Sequence, residues 1–164
     1  MLPLEVTVCA EAEVCDLIDG HTHALSITDP GSWADIPRCI PPSRVLRLQF
    51  HDLDAPPSAV DPAWTALYAL GARPILPAAR HIRAVIAFAD ALGKDARVLI
   101  HCKAGISRST AAAAIIGCRL LPRRESEVFA HISHIRPQAL PNRRMVRLAD
   151  RILGAGGRMI RARA

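Results

Sequence analysis

Along the chain the spacing of apolar positions switches between a period of two and a period near 3.6, and the switches set the expected order of elements. Leu4-Glu5-Val6-Thr7-Val8-Cys9 alternates and predicts a strand. A short helix over 10–18 follows, with Val14, Leu17 and Ile18 inward and Gly20 just past its end. His23-Ala24-Leu25-Ser26-Ile27-Thr28 predicts a second strand, closed by the turn residues Asp29-Pro30-Gly31. A proline-punctuated stretch leads to a third strand over 44–50. Residues 51–76 are the least regular part, with Pro56, Pro57, Pro62 and Pro74, and hold at most a short helix over 62–70. A firmer helix opens at Pro77, suited to a first turn, and ends at Gly93; its apolar face is Ile82, Val85, Ile86, Ala89 and Leu92. Arg97-Val98-Leu99-Ile100 reads as a buried central strand. An alanine-rich helix over 109–121 is stopped by Pro122, and two more helices carry the faces Val128/Ile132/Ile135 and Met145/Leu148/Ala149/Ile152. Gly154-Ala155-Gly156-Gly157 opens an expected C-terminal tail over 154–164. Strands mingled with helices imply a single α/β domain over 1–164, in three layers: a central, mostly parallel sheet flanked by helices.

Composition narrows the function classes. The 164 residues are 51% hydrophobic and 22% charged, enough apolar material for one buried core. No apolar run approaches the roughly 18 residues of a membrane span. The N-terminus shows no positive region followed by an apolar core, so a cytoplasmic setting with reduced thiols is expected. Five cysteines without a CxxC pair or Cys/His quartet indicate neither a disulfide framework nor a zinc site; no metal and no cofactor are expected. His21/His23 and His131/His134 have ligand-like spacing but no third partner in sequence. The net charge of +6 comes from 19 Arg and 2 Lys. That charge suits anionic partners, and compositional bias explains it equally well. A nucleic-acid-binding module, whose affinity would fall steeply with salt, is not the expected class.

The chemistry concentrates in one loop. A bare Cys-x5-Arg proves little, because 5 Cys and 19 Arg supply roughly 0.6 such pairs by chance. The chain holds two, Cys102/Arg108 and Cys118/Arg124. Around Cys102 the order is strand, loop, helix, and the loop His101-Cys102-Lys103-Ala104-Gly105-Ile106-Ser107-Arg108-Ser109 is built of small residues with Gly105 free to take positive φ. Successive N–H groups of such a loop can point to one centre and form an anion nest at a helix N-terminus. Around Cys118 the glycine position is Leu121, Pro122 follows, and the segment ends a helix, where the dipole disfavours a thiolate. Only the first match can hold phosphate. There a helix N-terminus and a nearby cation lower the thiol's pKa and favour the thiolate. Arg108 can grip two phosphate oxygens bidentately, and Ser109 can hydrogen-bond the thiolate. Residues 103–108 (Lys103, Ala104, Gly105, Ile106, Ser107, Arg108) form the expected phosphate cradle, with His101 holding the loop's shape.

The string His-Cys-x-x-Gly-x-x-Arg-Ser resembles the active-site loop of the protein tyrosine phosphatase superfamily, and its Ser-Arg-Ser ending resembles the dual-specificity branch. Ile135-Arg136-Pro137-Gln138-Ala139-Leu140-Pro141-Asn142 is similar to the Arg-Pro…Pro-Asn segment of that branch, where the asparagine braces the catalytic loop; this implies a supporting role for Asn142. The likeness spans roughly residues 22–153 and extends to compact bacterial tyrosine-phosphatase-like proteins. It implies hydrolysis of a phosphomonoester, with phosphotyrosine in a protein as the expected substrate and phosphoinositide or RNA 5′-phosphate as alternatives. A non-catalytic phosphate-binding relative is the reading from another class.

Attack by Cys102 expels an oxyanion that needs a proton, and one carboxylic acid can donate it and later take one from water. Phe50-His51-Asp52-Leu53-Asp54-Ala55-Pro56 is similar to the family's Trp-Pro-Asp loop, which makes Asp52 the expected acid, Asp54 the reserve and Asp61 third. Asp52 lies 50 positions before Cys102, a longer separation than in the family, so residues 57–76 are the expected insertion. Lys103 adds charge beside the pocket and suits polyanionic substrates, or is simply exposed. Cys39 and Cys15 are candidate disulfide partners for an oxidised Cys102.

Overall fold

A computed structural model describes residues 4–58 and 60–163. Its strands are β1 (Glu5–Ala10), β2 (His23–Thr28), β3 (Val45–Gln49) and β4 (Arg97–Cys102). Its helices are α1 (Val14–Leu17), α2 (Pro62–Ala69), α3 (Ala79–Asp90), α4 (Arg108–Leu120), α5 (Glu125–Ile135), α6 (Arg143–Ile152) and α7 (Arg158–Arg163). The four strands form one sheet in the order β1-β4-β2-β3, and every pairing is parallel. All four strands therefore end on one edge, where an open α/β sheet places its ligand site. The elements expected from the apolar pattern form at their expected places, most with ends displaced by a residue or two; the helix expected over 10–18 is a 3-10 turn over Glu11–Glu13 followed by α1, and α3 ends at Asp90 rather than Gly93.

The two faces are covered unequally. One carries Val8, Leu25, Ile27, Leu48, Phe50, Val98, Ile100 and Cys102 against α3–α7. The other, smaller cluster (Cys9, Ala24, Leu99) is covered by Val14 of the single-turn α1, by Ile18 just after it, and by Ile36 and Ile40 of an irregular stretch. Helix α4 is buried from Arg108 to Cys118 without a break. Its run Ala111–Ala114 is what a helix needs when the sheet and three other helices approach it closely, since no larger side chain would fit all round.

The 154–164 tail is corrected by the structure. Asp150, buried on α6, accepts the N–H of Gly157 at 2.7 Å and of Met159 at 3.0 Å, so its carboxylate caps the start of α7. Met159 is fully buried against the main core. The capping signal lay in a residue belonging to the previous helix, outside the local pattern.

Residues 51–75 leave the sheet edge and return to it. His51 N–H donates to the Ile75 carbonyl at 2.7 Å, and Ile75 N–H donates to His51 Nδ1 at 3.0 Å. Between these points α2 carries Trp64 beside Tyr68, with Val60 and Leu70 almost fully exposed.

Candidate active site

Each strand end contributes to one cluster: Glu11 and Glu13 follow β1, Asp29 follows β2, Asp52 follows β3 and Cys102 closes β4. The loop after Cys102 is shaped by what grips its carbonyls. The Lys103 carbonyl accepts from Glu11 N–H at 3.3 Å and that of Ile106 from Leu140 N–H at 2.9 Å. Those of Ala104 and Gly105 accept from the Arg136 guanidinium at 3.5 and 3.2 Å, and that of Ser107 from Asn142 N–H at 3.2 Å. In a trans peptide the N–H points opposite to the preceding carbonyl. Five carbonyls tied outward therefore turn the N–H groups of residues 104–108 inward, which builds the nest.

Gly105 is required twice over. Its φ is +68°, and a Cβ there would sit 2.6 Å from the Cys9 carbonyl carbon and the Ala10 nitrogen. Arg136 reaches the loop because Glu13 holds it at 2.9 Å, and Glu13 also accepts the Ala10 N–H at 2.6 Å. Those bonds, from Arg136 first, keep the Glu13 carboxyl below its ordinary ionisation range.

Cys102 is 2% exposed. Burial pushes its thiol up, but the Ser109 hydroxyl at 3.2 Å, the N–H groups of Ser109 and Gly105, and the Arg108 charge outweigh burial, so the net shift is downward. Two other buried cysteines show the contrast. Cys9 and Cys118 are each raised to about 12, by burial first and then by acidic neighbours. His101 is fully buried and held neutral, pulled down to about 4 by desolvation against the opposing charge of Glu11.

Arg108 is 3% exposed. Its Nη1 donates to Asp29 Oδ1 at 2.8 Å and to the Phe50 carbonyl at 2.7 Å, while Nε makes no hydrogen bond and lies 3.9 Å from Asp52 Oδ2. Phe50 is itself fixed by stacking on His81, ring centroids 4.7 Å apart. The Asp52 carboxylate lies over the loop: Oδ1 accepts from Ser107 Oγ at 2.6 Å and from Asn142 Nδ2 at 2.8 Å. Asn142 Oδ1 meanwhile caps α6 by accepting Met145 N–H at 2.9 Å. One asparagine thus joins the loop, Asp52 and a helix.

The structure brings Cys102, Ser109, Arg108, Asp52 and Asn142 together. Asp54 points elsewhere, accepting the Arg144 N–H at 3.1 Å. Lys103 has a 71% exposed side chain at the loop rim, 3.7 Å from Glu11. Cys15 and Cys39 are exposed free thiols. His21 and His23 turn ring nitrogens to Thr7 and Thr22, and among the described residues no three metal-ligating side chains gather. No helix among the described residues is long and apolar enough to cross a membrane. The local sequence marks Asp29 only as a turn residue and gives Glu13 no task. The arginines that these carboxylates hold, Arg108 and Arg136, lie far along the chain, and nothing local marks the pairing.

No protein-family model matches this sequence, and no curated protein matches it. Solved structures do match in three dimensions. DUSP15 is 18% identical with a TM-score of 0.62, covering 96% of this chain and 89% of that one. The Yvh1 phosphatase domain of Chaetomium thermophilum is 20% identical with a TM-score of 0.61, covering 97% and 95%. PTPMT1 in complex with PI(5)P is 15% identical with a TM-score of 0.58, covering 96% and 94%. The chain therefore has the α/β fold of the dual-specificity and tyrosine phosphatases.

Proposed function

We propose that this protein is a metal-independent phosphomonoester hydrolase working through a phosphocysteine on Cys102, with phosphotyrosine in a protein as its substrate. The observation that carries the reading is the cradle: a thiol of lowered pKa at the centre of inward-facing N–H groups, beside a buried arginine.

In the first step Cys102 Sγ attacks phosphorus, an S–P bond forms, and the bond to the leaving oxygen breaks. The loop N–H groups and Arg108 stabilise the charge spread over the equatorial oxygens. Asp52 donates the proton that the leaving oxygen takes. Its Oδ1 is engaged by Ser107 and Asn142, which leaves Oδ2, on the Arg108 side, to carry that proton. In the second step water attacks phosphorus and gives a proton to Asp52, and the thiolate leaves toward the Ser109 hydroxyl. Lys103, Ala104, Gly105, Ile106 and Ser107 supply the cradle and Asn142 holds its shape, whereas the buried ring nitrogens of His101, expected to hold the loop, make no hydrogen bond. The exposed Lys103 at the rim favours a second reading, hydrolysis of a phosphoinositide headgroup, and PI(5)P bound to PTPMT1 accords with it.

The test is hydrolysis of an aryl phosphate, a phosphotyrosine peptide and a phosphoinositide in the presence of a metal chelator. Wild type turns over and Cys102→Ser does not, while still binding phosphate. Absence of activity on all three substrates refutes the enzyme reading, and chelator sensitivity refutes the thiolate mechanism. A kcat/KM higher for the lipid than for the peptide selects the second substrate class.

A further inference from the structure

The one strongly buried arginine of the site is not held by its cradle. Its Nη1 is committed twice on the side away from the loop, to Asp29 Oδ1 at 2.8 Å and to the Phe50 carbonyl at 2.7 Å. A guanidinium carries five N–H donors in one plane and can grip a phosphate bidentately along two edges that include Nη2, one shared with Nη1 and one with Nε. Two acceptors on Nη1 remove the first edge. Nε, buried and without a hydrogen bond, belongs to the second.

Asp29 differs from the Phe50 carbonyl in bringing charge. A guanidinium 3% exposed needs a counter-charge; Asp52 Oδ2 stands 3.9 Å from Nε without a hydrogen bond, and Asp29 is the carboxylate in direct contact. The Asp29 side chain is half exposed, so solvent screens its charge toward an incoming dianion more than it weakens the 2.8 Å hydrogen bond. Its place is fixed by the turn it opens: Ser32 N–H donates to the Asp29 carbonyl at 3.2 Å, and Gly31 takes φ +86°. The carboxylate thus stands at the end of β2, beside β4 and its loop, on a short rigid turn.

We propose that Asp29 is a positioning residue: by anchoring Nη1 of Arg108 it presents the Nε/Nη2 edge of the guanidinium to the phosphoryl group. The inference rests on the phosphate-cradle reading above. It adds a residue that acts only through Arg108 and does not touch substrate.

The test compares wild type, Asp29→Ala and Asp29→Asn on an aryl phosphate, with competitive inhibition by inorganic phosphate measured alongside. Asp29→Ala lowers kcat/KM about 10- to 100-fold and weakens phosphate inhibition by a similar factor, the scale set by a small misplacement of a catalytic group. Asp29→Asn, which keeps an acceptor without the charge, recovers part of both losses. The control is alkylation of Cys102 by iodoacetamide at pH 7, which reports the thiolate and the shape of the loop; its rate stays within about twofold in both variants. Unchanged hydrolysis and unchanged phosphate inhibition in Asp29→Ala overturn the proposal. So does a collapse of Cys102 alkylation in both variants, since Asp29 would then be supporting the loop as a whole. If the wild type binds phosphate but turns nothing over, weaker phosphate binding by Asp29→Ala, read by equilibrium titration, still upholds the positioning role while the hydrolase reading falls. Equal phosphate binding by all three proteins removes it.

Discussion

Two segments of this chain share the spacing Cys-x5-Arg, one running from the end of β4 into the start of α4 and the other leaving the end of α4. At the start of the helix, Cys102 precedes a loop whose carbonyls are tied outward, Gly105 takes φ +68°, and Arg108 is buried with its Nη1 anchored. At the end, Cys118 lies inside the helix, Arg123 is forced to φ +69°, and Arg124 turns outward to pair with Glu127. The same two residue types therefore acquire opposite chemistry. The thiol at the start is lowered by donors and a cation, and the thiol at the end is raised to about 12 by burial, Glu125 and Asp150. A helix offers unpaired N–H groups at one end and unpaired carbonyls at the other, so spacing alone carries no chemistry.

The contrast can be broken most severely at the thiols themselves. Cys102→Ser is expected to cut kcat on an aryl phosphate by about 10⁴-fold or more, and Cys118→Ala to leave it within about twofold, both by steady-state assay. Next is the acid. Asp52→Asn lowers kcat by about 10²- to 10⁴-fold and removes the alkaline limb of the pH–rate profile. Asp54→Asn, whose carboxylate lies on Arg144 N–H, leaves that limb in place. The glycine comes third. Gly105→Ala, which combines positive φ with contacts at 2.6 Å, is expected to cost about 1–3 kcal/mol in chemical denaturation and to lower kcat/KM about 10²-fold.

The smallest effects follow from ionisation. The Cys102 thiolate persists as pH falls until its lowered pKa is crossed, whereas Cys118 stays protonated up to about 12. Peptide mapping after iodoacetamide at pH 6 should therefore find Cys102 labelled ahead of Cys118. For stability the sign at Cys118 is the reverse of that at a lowered acid. A thiol raised in the folded state contributes stability that is complete below its ordinary pKa and lost as pH climbs toward about 12. Melting temperatures measured above pH 9 should fall less in Cys118→Ala than in wild type.

The sequence order of strand, glycine-bearing loop and helix at 97–120 was legible because its causes are local: a short apolar run, a glycine, and a helix start. Asp52 and Asn142 were legible only through resemblance, and the structure shows why both lie at the loop: one carboxylate oxygen accepts from Ser107 and Asn142 together. Helix α7 was not legible, because its cap is Asp150 on the preceding helix.

By itself the sequence determined the elements as far as α6, the parallel α/β class and the loop 101–109, all of which depend on neighbours a few residues apart. Tertiary structure alone decided the orientation of Arg108 by Asp29, 79 residues away, and the outward hold on the loop by an Arg136 that Glu13 supports across 123 residues. Those contacts depend on four parallel strands ending on one edge, a condition of the whole sheet that no single stretch of residues records.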